Sequence, residues 1–417
     1  MAQPTKTKKG LNIQAYVMVI ALLTIWAFFH LISVDWSDVA EAQGFLGKIN
    51  AFFSDGFLQA RNLSNISRQF AITGVTAIGM VYVIIGEEID LSIGSQIAFL
   101  GGVLAVLDVA FSLPPVAVIP LVVISGCILG MWNGYWVAYL KVPSFIVTLA
   151  GMMAFRGLAT IILGSATLRP NSDFYSTAFN QYYFPGFWMM FVVAVISVLL
   201  LFSKYKNREQ RAKYGLEVDS SAADYGKTIV MIALLWFGLY ILNNYRGVPT
   251  ALIVVAVLAT IMTWVGRHTT FGRYIYAMGG NNEATRLSGV NVRRTKMFVF
   301  MINGLMASVA AIILVGRVGS AAPSAGSWQE LYTIAACFIG GTSMRGGIGT
   351  VFGALTGGLI MTSLQTGMQM QGVNESWQSV IIGMVLLLAV FLDIATREGG
   401  FKQAAYWLKN ITKGKAA

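Results

Sequence analysis

The carboxylates best placed to do chemistry lie in Gly86 to Ser95, GEEIDLSIGS. Glu87, Glu88 and Asp90 close one apolar run there, and Ser92, Gly94 and Ser95 open the next. Ionisable groups within a membrane are functional by default and would suit a proton relay. At a helix start, Asp or Ser instead accepts backbone amides that have no helical partner. The segment lies at the edge of a span, which favours capping and loop structure. A second segment, Phe271 to Lys296, reads FGRYIYAMGGNNEATRLSGVNVRRTK. Asn281 or Asn282 would cap a helix there, with Glu283 in its first turn, where the helix dipole favours negative charge. Gly289 would end that helix after two turns. A helix this short is not stable alone in water, and Ala284, Leu287 and Val290 give it an apolar stripe with no membrane to bury it. The spacing therefore predicts a docking element, with Gly279, Gly280, Asn281, Glu283, Ala284, Arg286, Leu287 and Gly289 as its candidate residues.

Glycine supplies the other pattern. Gly126, Gly130 and Gly134 recur every fourth residue in one apolar run, and Gly349, Gly353 and Gly357 do so in a run assigned to the eleventh span. Small residues let helices in lipid approach closely, either as static packing or as contacts that shift during transport. Gly340 to Thr350, GGTSMRGGIGT, is a polar break around Arg345. Its Ile348-Gly349-Thr350 matches Ile93-Gly94-Ser95 about 255 residues earlier, a hint of internal duplication. Trp132, Trp136, Trp328 and Trp377 could offer ring faces for stacking or sit as interface belts.

Other chemistry has no residues to carry it. The sequence holds no GxxxxGK[ST], GxSxG or HExxH, and His30, His268, Cys127 and Cys337 have no metal-ligand spacing. No cofactor, metal or catalytic site is expected, and the two cysteines read as small packing residues.

The elements that must position these residues are membrane spans. Hydrophobic residues make up 56% of the 417, charged residues only 11%, where soluble domains carry roughly 25%. Runs of about 20 apolar residues predict spans near 14–34, 68–86, 92–111, 115–139, 144–164, 186–203, 227–243, 249–266, 297–316, 328–341, 348–367 and 376–394. The fold expected is all-α, one polytopic domain over 1–417 with about 10–12 transmembrane helices. The first run exceeds a signal peptide's apolar region and reads as a retained helix. Between spans, 35–66 carries Phe45, Phe52, Phe53 and Phe57 and suggests an amphipathic piece on the membrane. Residues 204–226 read as a solvated charged loop.

The net charge of +11 is spread between the spans rather than gathered in a patch, which argues against nucleic-acid binding. With both termini cytoplasmic, 22 of the 29 Lys and Arg fall inside. They are Lys6, Lys8, Lys9, Lys141, Lys204, Lys206, Arg208, Arg211, Lys213, Lys227, Arg267, Arg273, Arg286, Arg293, Arg294, Lys296, Arg345, Arg397, Lys402, Lys409, Lys413 and Lys415. Lys48, Arg61, Arg68, Arg169, Arg246 and Arg317 fall outside, and Arg156 lies within a span. The positive-inside rule supports that orientation. It puts the GEEIDLSIGS segment and the docking segment, 268–296, on the cytoplasmic side.

Four stretches carry a resemblance: IDLSIGS at 89–95, KVPSFIVTLAGMMAFRG at 141–157, GGNNEATRLSGVNVRRTK at 279–296 and FIGGTSMRGGIGTVFGALTGGLI at 338–360. With their spacing, the chain resembles the membrane permeases of binding-protein-dependent monosaccharide importers, the ribose, galactose and xylose group. Its length, with the extra residues between 165 and 245, is most similar to the xylose type. It departs from the group's usual double glycine before IDLS in having Glu87-Glu88. The resemblance implies a type II ABC importer architecture in a bacterial inner membrane. It implies a second permease subunit, a cytoplasmic ATPase that binds the ATP, and a periplasmic sugar-binding protein. The segment around Glu283 would then be the helix that couples to the ATPase. The alternatives are a permease of the same superfamily for a nucleoside or branched-chain amino acid, and an ion-driven secondary transporter. The latter needs intramembrane acids or histidines, and apart from Arg156 and Asp108 the spans hold almost no charged residues.

Overall fold

The computed structural model of the chain describes residues 13–214 and 221–397. In chain order the helices are α1 (Ile13–Ser33), α2 (Trp36–Glu41), α3 (Gly44–Ser54), α4 (Ala60–Ile85), α5 (Ile93–Val109) and α6 (Pro115–Ala138). They continue with α7 (Ser144–Leu163), α8 (Phe174–Ser176), α9 (Gly186–Lys213), α10 (Ser221–Asn243), α11 (Thr250–His268) and α12 (Thr270–Gly280). The last five are α13 (Asn282–Leu287), α14 (Val292–Val318), α15 (Gln329–Ile339), α16 (Val351–Met370) and α17 (Glu375–Arg397). The strands β1 (Tyr183–Phe184) and β2 (Val248–Pro249) form one short antiparallel ladder.

Twelve of these helices stand where the apolar runs predict spans. Six of them, α4, α6, α7, α9, α11 and α14, are long and apolar enough to cross a membrane by length and composition. α4 is buried along nearly its whole length and α14 along most of it, whereas α6, α7, α9 and α11 present exposed apolar faces. A bundle with its most enclosed helices at the centre and apolar side chains outside is built for lipid, where backbone groups must be satisfied within each helix.

α15 is the exception. At 11 residues it spans about 16 Å, half of a hydrocarbon core of about 30 Å. The backbone on either side is irregular. Residues 319–328 lead in from the end of α14, and Trp328 caps α15 with φ +65°. Gly340 closes it, and a turn with Gly341, Gly346 and Gly347 at positive φ leads to α16. Such backbone is tolerated at membrane depth only inside protein or along a water-filled cavity.

Three sequence expectations are corrected. Residues 204–213 continue α9 and residues 221–226 open α10, so the part of 204–226 that is described is helical rather than a loop. Lys204, Lys206, Arg208, Glu209, Gln210 and Arg211 are strong helix formers, and Arg211 and Lys213 suit the negative end of the dipole. Gly349 lies in the turn before α16, whose cap is Thr350, whereas Gly353 and Gly357 are inside that helix. Ile93-Gly94-Ser95 opens α5 from within the helix, while Ile348-Gly349-Thr350 precedes α16, so the two triplets are not equivalent. The 35–66 segment contains α2 and α3. Phe52 and Phe53 pack around the His30 ring, Phe57 is buried against Phe29, and Phe45 is exposed.

Candidate functional site: the exposed two-turn helix and its seat

α13 forms where Asn281, Glu283 and Gly289 predict it. The Asn281 side chain accepts a hydrogen bond from the Ala284 amide at 2.9 Å, and the Thr285 hydroxyl donates to the Asn281 carbonyl at 2.8 Å. Gly289, at φ +85°, turns the chain out of the helix, and the Asn291 side chain caps α14 by accepting from the Arg294 amide at 3.1 Å. Glu283 and Arg286 pair at 2.6 Å on the outer surface, and that contact holds the Glu283 carboxyl below its usual range. Thr285 faces inward, while Glu283, Ala284, Arg286 and Leu287 are exposed, Leu287 by 75%. A large apolar side chain held outward on a rigid two-turn helix suits the pocket of another protein.

The seat of α13 is a backbone-to-backbone junction. A Cβ at Gly279 would overlap the carbonyl of Ile85, the last residue of α4, and would lie 2.6 Å from the Gly347 amide. That amide donates to the same Ile85 carbonyl at 2.9 Å. Gly280, by contrast, has open space where a Cβ would stand, although its backbone lies beside Gly347. The Tyr276 hydroxyl, on α12, donates to the Gly349 carbonyl at 2.9 Å. Lys296, in the first turns of α14, forms an ion pair with Glu88 in the turn between α4 and α5. The root of α13 is thus fixed to the end of α4, to the turn before α16 and to the turn before α5.

The glycine repeats lie on two helix seams. In the α6–α14 seam, a Cβ at Gly126 would stand 2.5 Å from the Gly304 carbonyl oxygen, one at Gly130 would overlap the Phe300 carbonyl, and one at Gly134 would lie 2.9 Å from Met297 Cα. In the α15–α16 seam, Gly353 faces the Gly340 carbonyl and Gly357 the Ala336 carbonyl, each too close for a side chain. Gly349 packs on Thr342 and Ile85 beside the junction instead. The partner glycine Gly304 belongs to no repeat of its own, and Gly340 is marked in the sequence only as the start of a polar break, so neither reads as a packing partner.

Asp90 is not at an exposed edge of the bundle, as its place at the end of an apolar run suggests. The turn after α4 folds back into the bundle, and Asp90 is fully buried there. Its Oδ1 accepts from the Ser92 amide at 2.9 Å and the Ser92 hydroxyl at 2.5 Å, and its Oδ2 accepts from Asn303 Nδ2, on α14, at 2.9 Å. Gln96 Nε2 and Asn133 Nδ2 both donate to Ser92 Oγ, at 2.7 and 2.8 Å. The capping chemistry is present, but it joins α5, α6 and α14 from inside. Asn133 and Asn303 were legible in principle as lone amides within apolar runs. Among the described residues no group of His, Cys, Asp and Glu could hold a metal ion.

Membrane helices packed through glycine seams, a short span with irregular backbone at both ends and one short helix exposed on the surface define a multi-pass membrane transport protein. The chain belongs to the family of branched-chain amino acid transport system permease components, whose pattern matches residues 62–390. It is 44% identical over 390 residues to the xylose transport system permease protein XylH of Escherichia coli K12, covering 93% of this chain and 94% of that protein. To XylH of Haemophilus influenzae it is 43% identical over 394 residues, 94% of this chain and 98% of the relative. The ribose import permease protein RbsC of E. coli K12 is 32% identical over 340 residues, 82% of this chain and 88% of its own length. No solved structure matches the chain.

Proposed function

We propose that this chain is the permease subunit of an ATP-binding-cassette importer that carries xylose or a closely related monosaccharide across a bacterial inner membrane. The observation that carries the reading is likeness to xylose permeases along nearly the whole chain. In this reading two copies of the chain form the pathway, both termini are cytoplasmic, a periplasmic binding protein delivers the sugar, and a separate ATPase binds and hydrolyses ATP. α13 is the surface the ATPase grips. Closure of the ATPase moves α13, and because Gly279 is seated on Ile85 and Gly347, the movement passes to α4, α15 and α16 together. A ligand drives such a switch only through its different affinity for the two states.

The test is uptake in proteoliposomes that hold this chain with its ATPase, supplied with binding protein outside and ATP inside. Labelled xylose should accumulate only when all parts and ATP are present. Uptake by the purified chain alone would refute the reading. The family's description also brings in branched-chain amino acids, so labelled leucine is run beside xylose, and uptake of leucine in place of xylose would transfer the assignment to that substrate class.

A further inference from the structure

The loop that dips into the bundle ahead of α15 has a surface unsuited to lipid. Residues 319–328 leave α14 at the end of the bundle where Leu168 and Ala321 pair, and then descend until Gly326 packs against Gly94 at the start of α5. Gln329 Nε2, at the foot of the loop, donates to Thr73 Oγ1 at 3.1 Å. Thr73 is central in α4, about 18 Å from the Ile85 end. The loop therefore reaches the middle of the membrane. Arg156, well inside α7, fixes it there through Nη1, which donates to the Pro323 carbonyl at 2.6 Å and the Ala325 carbonyl at 2.8 Å.

The groups this loop exposes are hydroxyls, backbone and one aromatic ring. Ser324 and Ser327 are exposed, and Trp328 is 57% exposed. The Ser327 hydroxyl donates to the Ser324 carbonyl at 2.6 Å and keeps its acceptor capacity. Trp328 holds φ +65°, a conformation rarely adopted by a residue with a bulky side chain, and strained backbone of this kind gathers at ligand sites. At this depth Trp328 is far from either membrane interface, so an interfacial belt does not account for it. Open irregular backbone does not face lipid, and a charged side chain within the membrane marks a substrate or water pathway. An aromatic face, hydroxyls and a guanidinium beside them match the C–H face and hydroxyl groups of a sugar ring.

We infer that Arg156, Ser324, Ser327 and Trp328 form a mid-membrane waypoint on the translocation path, where a monosaccharide stacks on Trp328 and exchanges hydrogen bonds with the loop. This rests on the reading of the chain as a sugar permease. The experiment uses the full importer with Cys127→Ala and Cys337→Ala, since these are the chain's two cysteines, and adds Ser327→Cys. A charged, membrane-impermeant methanethiosulfonate should label Ser327→Cys during turnover, and xylose with its binding protein should slow the labelling. Trp328→Ala should lower xylose uptake by roughly tenfold, the scale of one lost aromatic stack, while Trp328→Phe keeps most of it. An unlabelled Ser327→Cys, labelling indifferent to xylose, or unchanged uptake by Trp328→Ala would each overturn the waypoint. If the unaltered importer takes up no sugar, the permease reading itself fails. If it does and one of those results is obtained, only the waypoint falls.

Discussion

Two carboxylates in this chain carry different weights. Glu283 is exposed and pairs with Arg286, so its removal costs the fold little. If α13 is the grip of an ATPase, Glu283→Ala should keep expression, insertion and melting temperature near those of the parent while sugar uptake and sugar-stimulated ATP hydrolysis fall together. A wild-type uptake rate would remove Glu283 from the coupling surface. Asp90 has the opposite profile. Replacing it by leucine strands the Ser92 amide and the Asn303 amide in a dry interior, and each buried unsatisfied group costs about 1–3 kcal/mol. Asp90→Leu should therefore lower the unfolding midpoint in detergent by an amount equivalent to about 2–5 kcal/mol, with part recovered when Asn303→Leu is added. Equal melting curves would show that the buried network is not structural. Sequence alone separated these two poorly. Asn281, Glu283 and Gly289 spell out α13 through capping and termination, which are local effects. Asp90 is decided by a chain reversal after α4 that turns a position at the end of an apolar run into an interior one, and local pattern does not report that.

At the scale of elements, the repeat Gly126, Gly130, Gly134 announced a close helix contact, but its partner strip on α14 came only from the fold. The contact is steep because backbone meets backbone. A methyl group at Gly130 meets the Phe300 carbonyl, which has no side-chain freedom to yield. Gly130→Ala should force α6 and α14 apart at a cost of about 1–3 kcal/mol. Gly157, in α7, has nothing within reach of an added Cβ, and Gly157→Ala should be neutral or gain about 0.5–1 kcal/mol from helix propensity. Thermal unfolding of the two variants side by side is the check. If both melt like the parent, the α6–α14 seam does not limit stability. Span existence was readable throughout, because apolar runs of this length have few alternatives. Span ends were not, since α9 continues as a charged helix through Lys213 and α4 begins at Ala60, well before the apolar run that announced it.

For the whole molecule, the charge distribution and the packing bear on the same question of sidedness. Arg68 bonds to Asn180, and Arg317 reaches Asn65 at the opposite end of the bundle from α13, so these two of the basic residues assigned outside lie at one end. The junction of Gly279, Ile85 and Gly347 gathers the root of α13, the end of α4 and the turn carrying Arg345 at the other. Lys and Arg translocate less readily than other residues, and a domain with this bias inserts with its basic end inward. With both native cysteines replaced by alanine, Thr167→Cys, exposed in the segment after α7, should react with an impermeant maleimide added to intact cells. Ser288→Cys, exposed at the end of α13, should react only after the membrane is opened. The reverse pattern would turn α13 away from the compartment that supplies ATP. No docking of α13 on an ATPase could then stand, however well its shape suits one, because the helix and the nucleotide would lie on opposite sides of the bilayer.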